Sequence, residues 1–242
     1  MAFKGCAGLT SVDLSSLVNG ANSSFADCTS LSSVTLNPNL SYINFGMFEH
    51  CALRSISGNG ISSVGQWGIR YCTSLTTVDF PNLTSIKVGA FTGDTALTSI
   101  DLSNVTSIEN GAFQNCTALT TADLSSCTTI GSTVFSGCTN LTSVTLPSTA
   151  IAINYDTFRG CSKLASINLS NVTSIGTNAF RDCTSLTSVD LSSCTSIYND
   201  TFRGCTGLAS ITDLSNCTTI GRGAFGGCSN LDITNWDLSN VT

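Results

Sequence analysis

The residues best suited to chemistry are a single histidine and thirteen cysteines. An imidazole beside a thiol can activate it as a nucleophile, and His50 directly precedes Cys51. Catalytic pairs usually meet through folding rather than adjacency, and no third group stands out that would orient or activate this thiol. The sequence also lacks C-x-x-C, H-E-x-x-H and phosphate-binding glycine motifs. We therefore predict no enzymatic activity and no cofactor, with catalysis by Cys51 or another thiol as the alternative.

The cysteines recur at regular intervals, which favours a structural role. Three of them occupy a position that is Leu or Val elsewhere, and this interchange predicts small, buried, reduced side chains. Cysteines stacked in successive coils would have parallel Cα–Cβ directions, which do not suit a disulfide. A straight row of thiols also cannot place four sulfur ligands around one zinc ion. These three are Cys127, Cys194 and Cys217. The other ten follow an aromatic or aliphatic residue by three positions and are Cys6, Cys28, Cys51, Cys72, Cys116, Cys138, Cys161, Cys183, Cys205 and Cys228.

Aspartates recur at one position of the repeat, between two apolar residues of a predicted strand. We call the following set the acidic row: Asp13, Asp79, Asp101, Asp123, Asp190 and Asp213. Asp237 continues the pattern after an irregular insertion. One interpretation is an acidic surface that attracts a basic partner, and the other is local hydrogen bonding to nearby Ser or backbone groups. Calcium needs six or more converging oxygens, so we predict no metal site.

Arginines form a shorter row, here called the arginine row. Arg159, Arg181 and Arg203 each follow the phenylalanine of their repeat directly. The guanidinium group suits carboxylates and anionic glycans, so the row is a candidate secondary binding site. The alternative is that it only carries solvated charge.

Composition excludes several classes of partner. The 242-residue chain is 41% hydrophobic and 10% charged, with a net charge of -6. That negative charge disfavours nucleic acid and membrane surfaces. No apolar run approaches the about 18 residues needed to cross a bilayer, and the N-terminus lacks the apolar stretch of a signal peptide. We therefore predict neither nucleic-acid binding nor membrane insertion.

The chain repeats with a period of 21 to 23 residues. The positions that define it, here called Phe positions, are Phe3, Phe25, Phe48, Ile69, Phe91, Phe113, Phe135, Phe158, Phe180, Phe202 and Phe225. With an L-x-x-L-x-L pattern, this period predicts about eleven partial or complete repeats of a leucine-rich solenoid spanning residues 1–242 as one domain.

Each repeat predicts a strand at residues such as 97–102, then a bend, then a short helical or 3₁₀ turn near Phe113. Both ends fall inside a repeat, which predicts either a portion of a longer protein or end-to-end self-association.

The segments "VTSIGTNAFRDCTSLTSVDL" and "VTSIENGAFQNCTALTTADL" resemble the BspA-like leucine-rich repeat family over essentially the whole chain. The marker is S-I-G-x-x-A-F-x-x-C-x-x-L. The resemblance implies a right-handed curved solenoid with a parallel β-sheet on its concave face. It also implies a cell-surface or secreted setting and a role in adhesion or protein binding, with an extracellular or cell-surface protein, or a glycan, as partner.

Three departures from the family pattern lie close together. Asp94 replaces the expected cysteine, Ile69 stands at the Phe position, and "FEHCALRSI" is one residue short. We therefore predict that the region from His50 to Cys72 is the least regular. The function predicted for the whole chain is a non-enzymatic scaffold that binds a macromolecule through the concave acidic row. The alternative is a structural spacer within a larger surface protein.

Overall fold

The chain forms a solenoid of short parallel strands. The computed structural model describes residues 2–234, 236 and 238–241. Ten coils carry strands, and each coil is named after the residue at its Phe position. The strands are β1 (Ser11–Leu14), β2 (Ser33–Leu36), β3 (Tyr42–Ile43), β4 (Ser55–Ser57), β5 (Ser63–Val64), β6 (Thr77–Asp79), β7 (Ser85–Ile86), β8 (Ser99–Ile100), β9 (Ser107–Ile108), β10 (Thr121–Asp123), β11 (Thr129–Ile130), β12 (Ser143–Thr145), β13 (Ile151–Ile153), β14 (Val172–Ile175), β15 (Ser188–Val189), β16 (Ser196–Ile197), β17 (Ser210–Ile211) and β18 (Thr219–Ile220).

A regular coil contributes one strand to each of two parallel ladders. The first ladder contains β1–β2, β4–β6–β8, β10–β12 and β15–β17. The second contains β3–β5–β7–β9–β11 and β13–β14–β16–β18. Residues one period apart pair directly, as Ile86 does with Ile108. The predicted leucine-rich solenoid with parallel strands, and with further short strands elsewhere in the coil, is confirmed.

Hydroxyl groups reinforce the contact between neighbouring coils. Thr106 Oγ1 donates to the carbonyl of Thr84 at 3.2 Å, and Thr128 Oγ1 donates to the carbonyl of Thr106 at 3.1 Å. Thr84 itself donates to the carbonyl of Ser62. Threonine suits a strand edge because its branched side chain fits an extended backbone. The Ser and Thr content of the repeat therefore has a structural cause.

One continuous hydrophobic core runs inside the coils from Leu14 to Ala224. The Phe positions form its centre. The rings of Phe91, Phe113 and Phe135 stack face to face, with centroids 5.3 and 5.5 Å apart and interplanar angles of 0° and 2°. A single coil cannot bury its own apolar side, so this stack exists only because neighbouring coils supply it.

The segment around each Phe position differs from the expected helical turn. Gly111, Phe113 and Asn115 donate their backbone N–H groups to carbonyls of the next coil at 2.8–2.9 Å, and Cys116 donates to Phe113 O of its own coil. Gly111 and Asn115 have positive φ, at 65° and 60°. The hydrogen bonds therefore alternate, with every second N–H directed to the next coil and the N–H groups between them bonded within their own coil. We call these residues, three before to three after the Phe position, the turn segment.

No helix forms within the described residues, so the helical alternative is wrong there while the short-strand alternative holds. A 3₁₀ turn needs consecutive local hydrogen bonds, and the alternation interrupts them. The described part of the chain contains no helix long and apolar enough to cross a membrane.

The cysteine at the end of each turn segment makes a repeated hydrogen bond. Cys116 Sγ donates to the carbonyl of Phe91 in the preceding coil at 3.1 Å, and Cys138 Sγ donates to Phe113 in the same way. All thirteen cysteines are free thiols, and eleven are buried, including the three at Leu or Val positions. Cys228 is half-buried, and Cys6 is exposed. The predicted burial is therefore confirmed except at these two.

The region predicted to be least regular keeps its register. Strands β3, β5 and β7 pair in sequence, with Ile43 opposite Val64 and Val64 opposite Ile86. Ile69 is fully buried, like the phenylalanines that it replaces. The irregularity lies in the side chains of the turn segment and in the missing residue between Cys51 and Leu53, where the turn that follows the cysteine in other coils is absent.

Candidate binding surfaces

The first strand ladder holds the acidic row at the strand ends. Except at Asp79, each aspartate accepts a hydrogen bond from the backbone N–H of the serine two residues later, at 2.8–3.0 Å. This Asx turn ends the strand locally. Asp79 is followed by Phe80 and Pro81, and proline has no N–H to donate. The interpretation of local hydrogen bonding is confirmed for the other five.

The acidic row also carries unbalanced negative charge. Hydrogen bonds from the serine two residues later lower the pKa of Asp13, Asp101 and Asp213, so these carboxyls stay ionised. No member of the row forms an ion pair with any residue between 2 and 234. Asp190 and Asp213 are half-buried, and the others are exposed. Asp237 lies outside the described residues. A role for this row in binding stays a prediction.

The arginine row is locally neutralised. Each arginine lies within ion-pair distance of an aspartate of its own coil, so the row presents less free positive charge than its sequence indicates. The pairs are Arg159 Nη1 with Asp156 Oδ2 at 3.4 Å, Arg181 Nε with Asp182 Oδ2 at 3.5 Å, and Arg203 Nη1 with Asp200 Oδ1 at 3.3 Å. Binding of an anion here stays a prediction, and the partner would have to compete with these carboxylates.

The candidate nucleophile faces away from the candidate base. Cys51 Sγ points into the core and donates to the carbonyl of Phe25 at 3.1 Å. Burial raises the pKa of the Cys51 thiol to about 12, the opposite of an activated thiolate. The His50 imidazole is half exposed and lies 3.9 Å from carboxylates of Asp27 and Glu49. Within the described residues, no group of three or more His, Cys, Asp or Glu could hold a metal ion.

A third surface, which the sequence interpretation missed, lies on the turn segments of the Ile69 coil and the three coils after it. We call it the aromatic groove. The Arg70 guanidinium carbon lies 5.1 Å from the centroid of the Trp67 ring and 4.5 Å from that of Tyr71. Arg70, Trp67 and Tyr71 form one wall of a groove of about 290 Å³. Opposite them lie Val88, Gly89, Thr92, Asn110, Gly111, Gln114, Asn115 and Thr133.

The sequence did contain a signal for this surface. Trp67 and Tyr71 stand two residues before and two after the Phe position, where the following coils have Gly89 and Gly93 or Gly111 and Asn115. Apart from His50, the other coils from Phe25 onward have small or turn-forming residues at these two positions, so two bulky aromatics in one coil mark a local departure from the repeat.

The stacked coils, the two parallel ladders and the buried apolar positions define a leucine-rich repeat solenoid. The model of the BspA type leucine rich repeat region matches six copies over residues 1–120, 56–138 and 106–232. The chain belongs to this family. A comparison with curated proteins gives no match.

Solved bacterial leucine-rich repeat structures show the same fold. A leucine-rich repeat protein from Eubacterium ventriosum is 22% identical with a TM-score of 0.57, covering 97% of this chain and 80% of its own. A leucine rich cell surface protein from Faecalibacterium prausnitzii is 24% identical with a TM-score of 0.57, covering 87% of this chain and 61% of its own. The T. pallidum leucine rich repeat protein is 24% identical with a TM-score of 0.54, covering 74% of this chain and 78% of its own.

Proposed function

We propose that this chain is a non-enzymatic scaffold that binds an extracellular or cell-surface protein through the acidic row. The observation that carries the proposal is the row itself: six carboxylates on one strand ladder without an ion-pair partner among the described residues. Uncompensated charge on a long surface speeds encounter with an oppositely charged partner. The partner surface would therefore be basic.

The fold supports the proposal through its rigidity. Each Asx turn fixes the orientation of its carboxylate, and the ladder register fixes the spacing from coil to coil. A pre-ordered surface loses little side-chain entropy on binding. The similarity to the leucine rich cell surface protein from Faecalibacterium prausnitzii supports a cell-surface or secreted setting for this chain.

The test removes the charge of the row without removing its turns. Asn168 occupies the same position in another coil and accepts the N–H of Ser170 at 3.0 Å, so asparagine keeps the Asx turn. The variant is Asp79→Asn, Asp101→Asn and Asp123→Asn together. An array of extracellular-matrix and cell-surface proteins is probed with the native and variant chains at low and physiological salt.

We expect a salt-sensitive interaction whose association rate falls about tenfold in the variant while the dissociation rate changes little. The control is Asp27→Asn, Asp182→Asn and Asp200→Asn, which removes the same charge from turn segments. All three of these positions have φ of 54–61°, which asparagine accepts. Equal weakening by both variants would reduce the effect to net charge and contradict a site at the row.

The spacer alternative predicts a different result. If the native chain is folded and binds no member of the array at either salt concentration, the binding proposal fails. The chain would then act by separating other parts of a surface protein, and no substitution in the row would change any interaction.

A further inference from the structure

We propose that the aromatic groove binds a neutral saccharide. Its volume of about 290 Å³ lies just below the range of about 300–1,000 Å³ for small-ligand pockets, so it suits a mono- or disaccharide rather than a longer chain. The groove is built on turn segments and shares no residue with the acidic row. It is therefore a second site, independent of the protein-binding function proposed above.

Two aromatic residues of the wall occupy the left-handed positions of the repeat. Trp67 and Tyr71 both have φ of 58°, in the left-handed region that bulky residues rarely enter. The following coil has Gly89 and Gly93 at these positions, at φ of 59° and 76°. Positive φ recurs at these two positions in other coils, for example at Asp27, Asn115 and Asn178, so the Ile69 coil differs from them by the bulk of the side chains and not by its backbone.

The next coil is shaped to receive the two rings. A Cβ atom at Gly89 would lie 2.8 Å from Cδ1 of Trp67, and a Cβ atom at Gly93 would overlap the ring of Tyr71. The same contact recurs with smaller side chains elsewhere, where Asn115 lies over Gly137 and Asp182 lies over Gly204, and in this coil aromatic rings make it. Because of this pairing, the rings extend along the solenoid axis and form a wall.

The charge in the groove is already balanced. The Arg70 guanidinium lies against the rings of both Trp67 and Tyr71. Its Nη1 is 3.4 Å from Glu49 Oε1, and its Nη2 donates to Tyr71 Oη at 3.3 Å. An arginine that is stacked and ion-paired fixes the wall and has little charge left for an anion. The groove therefore suits a ligand without net charge.

The opposite wall offers amides. Asn110 Oδ1 accepts the N–H of Ser132 at 2.8 Å, which leaves the Asn110 Nδ2 group free to donate outward. The side-chain amides of Gln114 and Asn115 form no hydrogen bond with any described residue. Amides both donate and accept, as sugar hydroxyls require, and the parts of the Trp67 and Tyr71 rings that Arg70, Phe45 and His50 leave uncovered offer apolar contact to a pyranose. Together the two walls match a neutral saccharide.

The first measurement locates binding. Trp67 and Trp236 are the only tryptophans, so Trp236→Phe leaves Trp67 as the single fluorescent reporter. This variant is titrated with maltose, lactose, chitobiose and mannobiose. In parallel, saturation-transfer NMR is recorded on the native chain with the same four disaccharides. We expect a saturable change of Trp67 emission and ring-proton saturation transfer for at least one of them.

The second measurement separates binding from folding. Trp67→Gly and Tyr71→Asn restore residue types that other coils have at these positions, so neither should lower the melting temperature. We expect each to weaken saccharide binding about tenfold or more. The matched control is Asn178→Gly, at the same position of the Phe180 coil and with φ of 56°, which should leave affinity unchanged.

Several outcomes would overturn the assignment. These are no saturable binding of any of the four disaccharides, unchanged affinity in both Trp67→Gly and Tyr71→Asn, or binding only of a sulfated or sialylated glycan added to the panel. The triple asparagine variant of the acidic row should bind saccharide as the native chain does. This last result distinguishes failure of one site from failure of the other.

Discussion

The coils from Phe113 to Phe202 and the two coils at Ile69 and Phe91 use the same backbone framework with different side chains. In the Ile69 coil, Trp67, Ile69 and Tyr71 donate to carbonyls of the next coil at 2.9–3.0 Å, as the matching residues of the Phe113 coil do. The backbone ladder is therefore retained where the side chains depart most from the repeat. The comparison indicates that backbone geometry defines the coil and that turn-segment side chains are free to diverge.

The sharpest difference lies at the cysteine position. In the Phe113 coil this residue is a neutral thiol that donates to the preceding coil, whereas in the Phe91 coil it is Asp94. Asp94 is fully buried, and its Oδ1 accepts the N–H of Cys72 at 2.7 Å. Its Oδ2 has no hydrogen-bond partner among the described residues. Burial raises the pKa of the Asp94 carboxyl well above its ordinary value.

The largest predicted effect is a loss of stability at alkaline pH, caused by the buried thiols of the coils. Burial raises the pKa of the Cys51, Cys138 and Cys205 thiols to about 12. An unfolded thiol ionises near pH 8.5–9, so the unfolded state loses protons first and stability falls as pH rises from there towards about 12. Each thiol should lower the free energy of unfolding by about 1.4 kcal/mol per pH unit. Urea denaturation at pH 8, 9 and 10, followed by circular dichroism, measures this slope.

The control for this prediction is Cys138→Ala. It should destabilise the chain at neutral pH, because it leaves a cavity and removes the hydrogen bond to Phe113. Above pH 9, however, the slope should become shallower by about 1.4 kcal/mol per pH unit. A slope identical to that of the native chain would mean that the thiol is not protected in the folded state.

Replacing Asp94 by the cysteine of the regular coils should give the next largest effect. Asp94→Cys removes the unpartnered buried oxygen and should stabilise the chain by about 1–3 kcal/mol at pH 7. Because the folded pKa is raised, the native chain loses stability as pH rises above the unfolded value near 4. The advantage of the variant should therefore be larger at pH 8 than at pH 5. Chemical denaturation at both pH values checks this.

Asp94→Asn serves as the isosteric control. Its carbonyl can still accept the N–H of Cys72, and its amide does not titrate. The stability difference between Asp94→Cys and Asp94→Asn should stay constant from pH 5 to pH 8, while both diverge from the native chain. If the native chain and both variants follow the same pH dependence, Asp94 does not titrate in this range.

Much of this architecture could be predicted from the sequence, because stacked coils place equivalent residues of successive repeats above one another. The period alone located the buried Phe113 and Cys116 and the exposed Asp101, since stacking fixes which residues face the core. The helical or 3₁₀ turn predicted near Phe113 is wrong for a physical reason. A three-residue apolar spacing fits a 3₁₀ turn, but it does not reveal that Gly111 and Asn115 have left-handed backbones.

The aromatic groove could not be predicted from any single coil. It depends on Trp67 and Tyr71 extending over Gly89 and Gly93, a match between residues 22 positions apart. Each residue by itself looks like ordinary variation in a turn. Only the stacked structure shows that the aromatic rings of one coil lie over the glycines of the next, and the sequence signal becomes visible only when adjacent coils are compared in pairs.

The smallest predicted effect tests whether the regular coils and the Ile69 coil are stabilised by the same hydrogen bonds between neighbouring coils. Thr106 Oγ1 in a regular coil and Ser62 Oγ in the Ile69 coil each donate to a carbonyl of the preceding coil, at 3.2 Å in both cases. Thr106→Val and Ser62→Ala should each cost only about 0.5–1 kcal/mol, because water can replace the hydroxyl at an exposed carbonyl. Thr121→Val, whose hydroxyl bonds to no described residue, should be neutral. Similar losses from urea denaturation would support one framework in both regions, whereas a much larger loss for Ser62→Ala would show that the divergent coil depends on this bond.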